Sequence, residues 1–161
     1  MPLARARRAV SVSWAVAVVA MVALIWGNSL VPGEGSSEVS LGVLAAAREF
    51  LASLGLPAGW LTNFLVRKTA HFTEYAVLGT LATRAAWPSL ARTRRAWLPL
   101  AVFLAAIPSL DETIQLFVPA RAGMVTDVLL DCCGAATGVF LCRLAGRAWE
   151  RRRACGKNSR N

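Results

Sequence analysis

Residues 97–118 read WLPLAVFLAAIPSLDETIQLFV, an apolar run of membrane-spanning length that carries Asp111, Glu112 and Gln115. A helix needs about 20 such residues to cross the ~30 Å hydrocarbon core of a bilayer. Ionisable groups in hydrocarbon are costly, and they usually face a protein interior or a water-filled cavity. The stretch therefore predicts a membrane helix whose polar side faces other helices.

Three further runs have the same character, namely Val10–Leu30, Phe64–Trp87 and Met124–Ala145. The composition is 56% hydrophobic and 17% charged, which is too apolar for an ordinary soluble domain of 161 residues. Apolar and polar residues do not alternate in these runs as they do in barrel strands. Helices are then the structure that satisfies the backbone hydrogen bonds in lipid. The sequence predicts an all-α fold, a bundle of four transmembrane helices.

Between the first two runs, residues 38–54 read as an amphipathic helix on the outer side, after a turn-rich segment over 31–37. The first run is expected to be retained, because it is long for a signal peptide and no A-x-A-like site follows it. The chain thus divides into an N-terminal tail (1–9), a membrane domain (10–145) and a basic C-terminal tail (146–161).

The net charge of +9 is distributed as a topology signal rather than as a nucleic-acid surface. Fourteen of the 18 basic residues lie before the first run, in or beside the connection between the second and third, or at and after the end of the fourth, with Arg84 and Arg143 inside the run ends. Only four lie on the other side, in the remaining connections or at the start of the second run: Arg48, Arg67, Lys68 and Arg121. By the positive-inside rule both termini are expected in the cytoplasm. We expect contact with membrane lipids and no nucleic-acid partner.

Cysteine spacing gives no metal-binding pattern. The four cysteines are Cys132, Cys133, Cys142 and Cys155. Reduced thiols that pack as small apolar side chains are expected.

Five of the nine acidic residues lie inside the apolar runs, together with the only histidine. At ~1.5 Å per residue, Glu74, Asp111 and Asp131 lie about 20, 21 and 18 Å from the cytoplasmic ends of their helices. Each helix also has one polar side at 100° per residue. A functional polar cluster is predicted from these residues: Lys68, His71, Glu74, Tyr75, Asp111, Glu112, Gln115, Arg121, Asp127 and Asp131. Gly134 and Gly138 are predicted to let a neighbouring helix pack closely below it.

Two stretches carry a more specific pattern. The first is KTAHFTEYAVLG (residues 68–79), and the second is DETIQLF (residues 111–117) followed by Pro119, Arg121, Asp127, Gly134 and Gly138. Together they resemble the VanZ-like family of small bacterial membrane proteins. The resemblance implies the bacterial cytoplasmic membrane and an association with resistance to teicoplanin-type glycopeptide antibiotics. The family pattern has Asn where this chain has Asp131.

Three functions remain open at this point. A binding protein would hold an anionic envelope lipid, a lipid-linked wall precursor or a lipoglycopeptide, with Lys68 and Arg121 at the rim of the pocket. A membrane enzyme acting on a lipid head group would bind Mg²⁺ or Ca²⁺ through Asp111, Glu112, Asp127 and Asp131, with His71 as base. A proton- or ion-coupled permease would use the acids and the histidine as a relay.

Overall fold

The computed structural model describes residues 11–158, with side chains up to residue 149, and every regular element among them is helical. In chain order they are α1 (Val12–Ser29), α2 (Gly33–Ser53), α3 (Asn63–Leu90), a single 3-10 turn (Arg94–Ala96), α4 (Trp97–Gln115) and α5 (Val125–Asn158). The predicted all-α bundle is confirmed. The tail 1–9, the start of the first run at Val10, residues 159–161 and the side chain of Cys155 lie outside this description.

Three segments of the described chain are long and apolar enough to cross a membrane: Val12–Ser29, Arg94–Gln115 and Val125–Trp149. The second predicted run, now α3, does not meet this apolar criterion, although its 28 residues give it ample length. Its first half carries Arg67, Lys68 and Glu74, which lower its hydropathy. A helix at this position tolerates such residues, because α3 packs against all four other helices and its polar side chains face protein.

Close backbone contact between α3 and α5 holds the centre of the bundle together. A β-carbon at Gly138 would lie 1.9 Å from the Ala76 carbonyl oxygen, and one at Gly134 would lie 2.5 Å from that of Phe72. The Thr80 hydroxyl also donates a hydrogen bond to the Gly138 carbonyl at 3.2 Å. Only glycine allows this approach, so the structure places Gly134 and Gly138 at the α3–α5 contact.

Helix α2 begins earlier than the sequence indicates, at Gly33 instead of residue 38. The Gly33 N–H donates to the Pro119 carbonyl at 3.1 Å, and a β-carbon on Gly33 would lie 1.9 Å from the Ala120 carbonyl oxygen. The loop between α4 and α5 therefore fixes the first turn of α2. Leu44 is buried, whereas Val39 and Phe50 are 71% and 65% exposed, so α2 presents an apolar outer face.

The core below the polar cluster is apolar, with Leu78, Ala82, Leu100 and Leu104 among its buried residues. At the lower end α5 continues through Asn158, well beyond the predicted limit at Ala145. Among the described residues, the cysteines of α5 are free thiols, of which Cys142 is buried, Cys132 is partly buried and Cys133 is exposed.

Candidate functional site

The polar residues of α3 follow one side of the helix, because spacings of three and four residues amount to about one helical turn. Tyr75 is fully buried, whereas Lys68, His71 and Glu74 are partly buried. Asn28, near the end of α1, donates a hydrogen bond from Nδ2 to Glu74 Oε1 at 3.1 Å. This bond holds the Glu74 carboxylate on the side of α3 that faces α1.

The three polar residues of α4 are almost completely buried. Asp111, Glu112 and Gln115 are 0%, 4% and 3% exposed. Gln115 Nε2 lies 3.3 Å from Asp111 Oδ2 and 3.2 Å from Glu112 Oε1, so a single amide bridges both carboxylates. Glu112 Oε2 accepts a further hydrogen bond from the Met124 backbone N–H at 2.8 Å, which joins α4 to the start of α5. The second oxygen of Asp111, Oδ1, is buried without a hydrogen-bond partner among the described residues.

The two acidic residues near the start of α5 have different surroundings although they are one turn apart. Asp127 accepts a hydrogen bond from Lys68 Nζ and forms an ion pair with it, and both side chains are partly buried. Asp131 is fully buried, and within residues 11–149 neither of its carboxylate oxygens has a hydrogen-bond partner. His71 Nδ1 lies 3.7 Å from Asp131 Oδ2, which is beyond hydrogen-bond length.

Four side chains from three helices bring their ligating atoms to one place. One nitrogen or oxygen atom from each of His71, Asp111, Glu112 and Asp131 lies within 4.8 Å of the others. We call these four residues the carboxylate–histidine group. The predicted set of metal ligands held Asp127 instead of His71. The structure leaves Asp127 out of the group and pairs it with Lys68.

A partly open cavity of about 260 Å³, the outer pocket, lies between α1, α2, α3 and the α4–α5 loop. Its polar lining residues are Asn28, Ser29, Ser36, Ser40, Arg67, His71, Glu74 and Arg121, and its apolar ones are Val31, Val39, Val43, Val66 and Ala70. Since His71 belongs to both, the outer pocket adjoins the carboxylate–histidine group. A ligand in the pocket would therefore lie beside the buried acids.

Two guanidinium groups give the outer pocket its positive charge. Arg121 donates from Nε to the Val31 carbonyl at 3.1 Å and from Nη2 to the Asn28 carbonyl at 2.8 Å, which uses two of its three nitrogens. Burial, and next the positive charge of Arg67, lower the pKa of the Arg121 guanidinium from its ordinary value. Arginine remains charged in proteins all the same. Two cations thus line one small cavity.

Lys68 does not line this pocket, contrary to its predicted place at the rim, and Arg67 lines it instead. The signal for Arg67 was present in the sequence. At 100° per residue Arg67 falls between His71 and Glu74 on the polar stripe of α3. Asn28 was also missed, although it is a polar residue at the end of an otherwise apolar run.

The comparisons with known proteins agree with the motifs. The sequence model of the VanZ/LLP1 family matches residues 14–146, which cover α1 to most of α5 and every residue of the outer pocket and of the carboxylate–histidine group. No curated protein and no solved structure shows a significant match. With its helices able to span a membrane and a match over most of its length, the chain belongs to the VanZ/LLP1 family of integral membrane proteins.

Proposed function

We propose that the protein binds the anionic head group of an envelope lipid or of a lipid-linked cell-wall precursor in the outer pocket. One observation carries the proposal: Arg67 and Arg121 line the same cavity of about 260 Å³, which adjoins the carboxylate–histidine group through His71. Sites for drug-sized ligands measure roughly 300–1,000 Å³. The outer pocket is therefore suited to a head group rather than to a whole lipid.

The chemistry of the lining supports an anionic ligand. Guanidinium groups bind phosphate and carboxylate with two parallel hydrogen bonds, which a point charge cannot do. The hydroxyls of Ser36 and Ser40 line the wall formed by α2. The exposed apolar side chains of α2, among them Val39 and Phe50, offer a surface for acyl chains next to the pocket.

The proposed setting is the bacterial cytoplasmic membrane, with both termini in the cytoplasm and the outer pocket towards the cell exterior. The asymmetric distribution of basic residues supports this orientation. There the pocket would meet lipid-linked precursors and lipoglycopeptides alike. Binding of either would account for a role in resistance to teicoplanin-type antibiotics.

A second candidate function, a membrane enzyme acting on a lipid head group, is favoured by the position of His71. The imidazole lines the outer pocket, where a base would meet a bound head group, and its Nδ1 lies 3.7 Å from Oδ2 of Asp131. No comparable feature favours a permease. The described core below the cluster is apolar, and the hydroxyls of Thr80 and Thr83 donate to backbone carbonyls there.

The test is native mass spectrometry of the purified protein with the lipids that it retains. We expect wild type to retain an anionic lipid or precursor, and Arg67→Gln to lose it. Arg121→Lys should also bind more weakly, since the charge remains but the planar fork is lost.

Arg48→Gln is the matched control. Arg48 is a basic residue on the same side of the bundle that donates to the Leu61 carbonyl and does not line the pocket. Equal lipid retention by Arg67→Gln and Arg48→Gln would contradict the proposal. Conversion of the retained lipid by wild type but not by His71→Asn would favour the enzyme.

A further inference from the structure

When ionised, the three carboxylates of the carboxylate–histidine group carry more negative charge than the described ion pairs around them neutralise. Three carboxylates, Asp111, Glu112 and Asp131, are at most 4% exposed. Two basic side chains of the outer half have other partners, since Lys68 pairs with Asp127 and Arg121 binds backbone carbonyls, while Arg67 lines the outer pocket. Burying charges that are neither paired nor bound to a metal is strongly unfavourable.

Several nitrogen and oxygen atoms of this group have no hydrogen-bond partner within residues 11–149. Asp131 Oδ1 and Oδ2 and Asp111 Oδ1 are buried without hydrogen-bond partners in the described part of the chain, and His71 Nδ1 lacks a partner as well. Buried polar atoms are nearly always satisfied in proteins, and each exception requires an explanation. These four atoms belong to three of the four residues whose ligating atoms converge, and the Tyr75 hydroxyl on the same side of α3 is likewise buried and unpartnered among the described residues.

We propose that the carboxylate–histidine group binds one divalent transition-metal ion of the Zn²⁺ or Mn²⁺ class. The ligands are His71, Asp111, Glu112 and Asp131. Two ligands of one ion with bonds of about 2.1 Å stand at most about 4.2 Å apart. The four ligating atoms already lie within 4.8 Å of one another, so small side-chain rotations complete the site.

The imidazole decides the class of metal. Mg²⁺ and Ca²⁺ favour oxygen ligands alone, whereas an imidazole nitrogen with carboxylates is typical of Zn²⁺, Mn²⁺ or Fe²⁺. The predicted set of four carboxylates favoured Mg²⁺ or Ca²⁺. Exchanging Asp127 for His71 changes that preference. The ion would also add positive charge beside the outer pocket, but its binding does not depend on a lipid ligand.

The experiment uses the full chain in phosphatidylcholine nanodiscs, stripped with EDTA and titrated with MnCl₂. Free Mn²⁺ is measured by electron paramagnetic resonance, and empty nanodiscs are subtracted. We expect wild type to bind one Mn²⁺ per chain, to release it to ZnCl₂, and to keep it in a large excess of MgCl₂. Zn²⁺ should displace Mn²⁺ because it stands higher in the affinity order for such sites.

Asp131→Asn and Asp111→Asn keep the side-chain size and should weaken Mn²⁺ binding by about tenfold or more. Even residues that only hydrogen-bond to metal ligands have effects of about this size on metal affinity. Asp127→Asn is the matched control, because it removes a carboxylate one turn away and outside the group. It should bind Mn²⁺ as wild type does. Thermal unfolding gives a second measurement: ZnCl₂ should stabilise wild type and Asp127→Asn but not Asp131→Asn.

Two outcomes would overturn the inference. The first is that wild type binds no more Mn²⁺ than empty nanodiscs do, or that Asp131→Asn and Asp127→Asn bind it equally. Shared protons would then neutralise the group. Displacement of Mn²⁺ by MgCl₂ would mean that the class of metal is wrong. Loss of lipid retention in Arg67→Gln with metal binding intact would separate this site from the proposed lipid function.

Discussion

Replacing Gly138 with alanine should separate α3 from α5 and destabilise the protein. The new β-carbon would lie 1.9 Å from the Ala76 carbonyl oxygen and 2.9 Å from the Thr80 backbone nitrogen. Carbon–oxygen contacts between packed backbones measure roughly 3.3–3.6 Å, so the helices must move apart by more than about 1 Å. Backbone atoms cannot rotate out of the way as a flexible side chain can.

The separation has two costs. Overpacking a well-packed core costs typically about 1–3 kcal/mol. The Thr80 hydrogen bond to the Gly138 carbonyl, 3.2 Å long, would also be lost, and interhelical bonds of this kind in membranes average about 0.6 kcal/mol. For a chain of this size about 1 kcal/mol corresponds to roughly 2–4 °C in Tm. We expect Gly138→Ala to lower Tm by roughly 3–14 °C on these figures.

The assay is fluorescence-detected thermal unfolding in detergent, with Gly27→Ala and Gly42→Ala as matched controls. A β-carbon at either control position would meet nothing within 4 Å. Alanine is the better helix former by about 1 kcal/mol, so the controls should not lose stability. A Gly138→Ala variant as stable as wild type would refute the close α3–α5 packing. A loss of the same size in all three variants would refute it as well.

The remaining predictions concern topology, the ion pair and the pocket. On a cysteine-free background, Ser53→Cys should be labelled by a membrane-impermeant reagent in intact cells and Ala91→Cys only after permeabilisation; the reverse pattern would invert the proposed orientation. A double-mutant cycle with Lys68→Met and Asp127→Leu should give a coupling free energy of roughly 1–2 kcal/mol in thermal unfolding, between the values typical of surface and of buried ion pairs. A coupling of zero would mean that the two side chains do not interact. Arg121→Lys should reduce survival under teicoplanin at equal membrane abundance, and unimpaired survival would remove Arg121 from ligand binding.

Much of the site followed from helical periodicity. His71, Glu74 and Tyr75 share a side of α3 because residues three and four apart lie one above the other. Asp111 and Asp131 were expected at one depth, and the structure brings a carboxylate oxygen of each within 4.8 Å of the other. Both arguments need only the rise and the turn of a helix, which are properties of the local chain.

Helical periodicity does not predict which basic side chain pairs with which acidic one. The sequence predicts Lys68 at the rim of the pocket and Asp127 among the metal ligands, whereas the structure pairs these two side chains. Arg67 and His71 take the two places. Neighbours on a helix differ by 100° in direction, so a modest rotation of α3 decides whether Arg67 or Lys68 lines the outer pocket.

By itself, the sequence determined the all-helical class, the apolar character of three of the four predicted spans and the side of each helix that carries the acids. These properties depend on the local composition and on the helical period of about 3.6 residues, neither of which is changed by residues far away in the chain. Only the tertiary structure decided the start of α2 at Gly33, which the Pro119 carbonyl fixes. It also set the rotation of α3 against α5, because the contacts at Gly134 and Gly138 are between backbones far apart in the chain. The carboxylate–histidine group follows from that rotation, since His71 of α3 and Asp131 of α5 lie on the two helices that meet there.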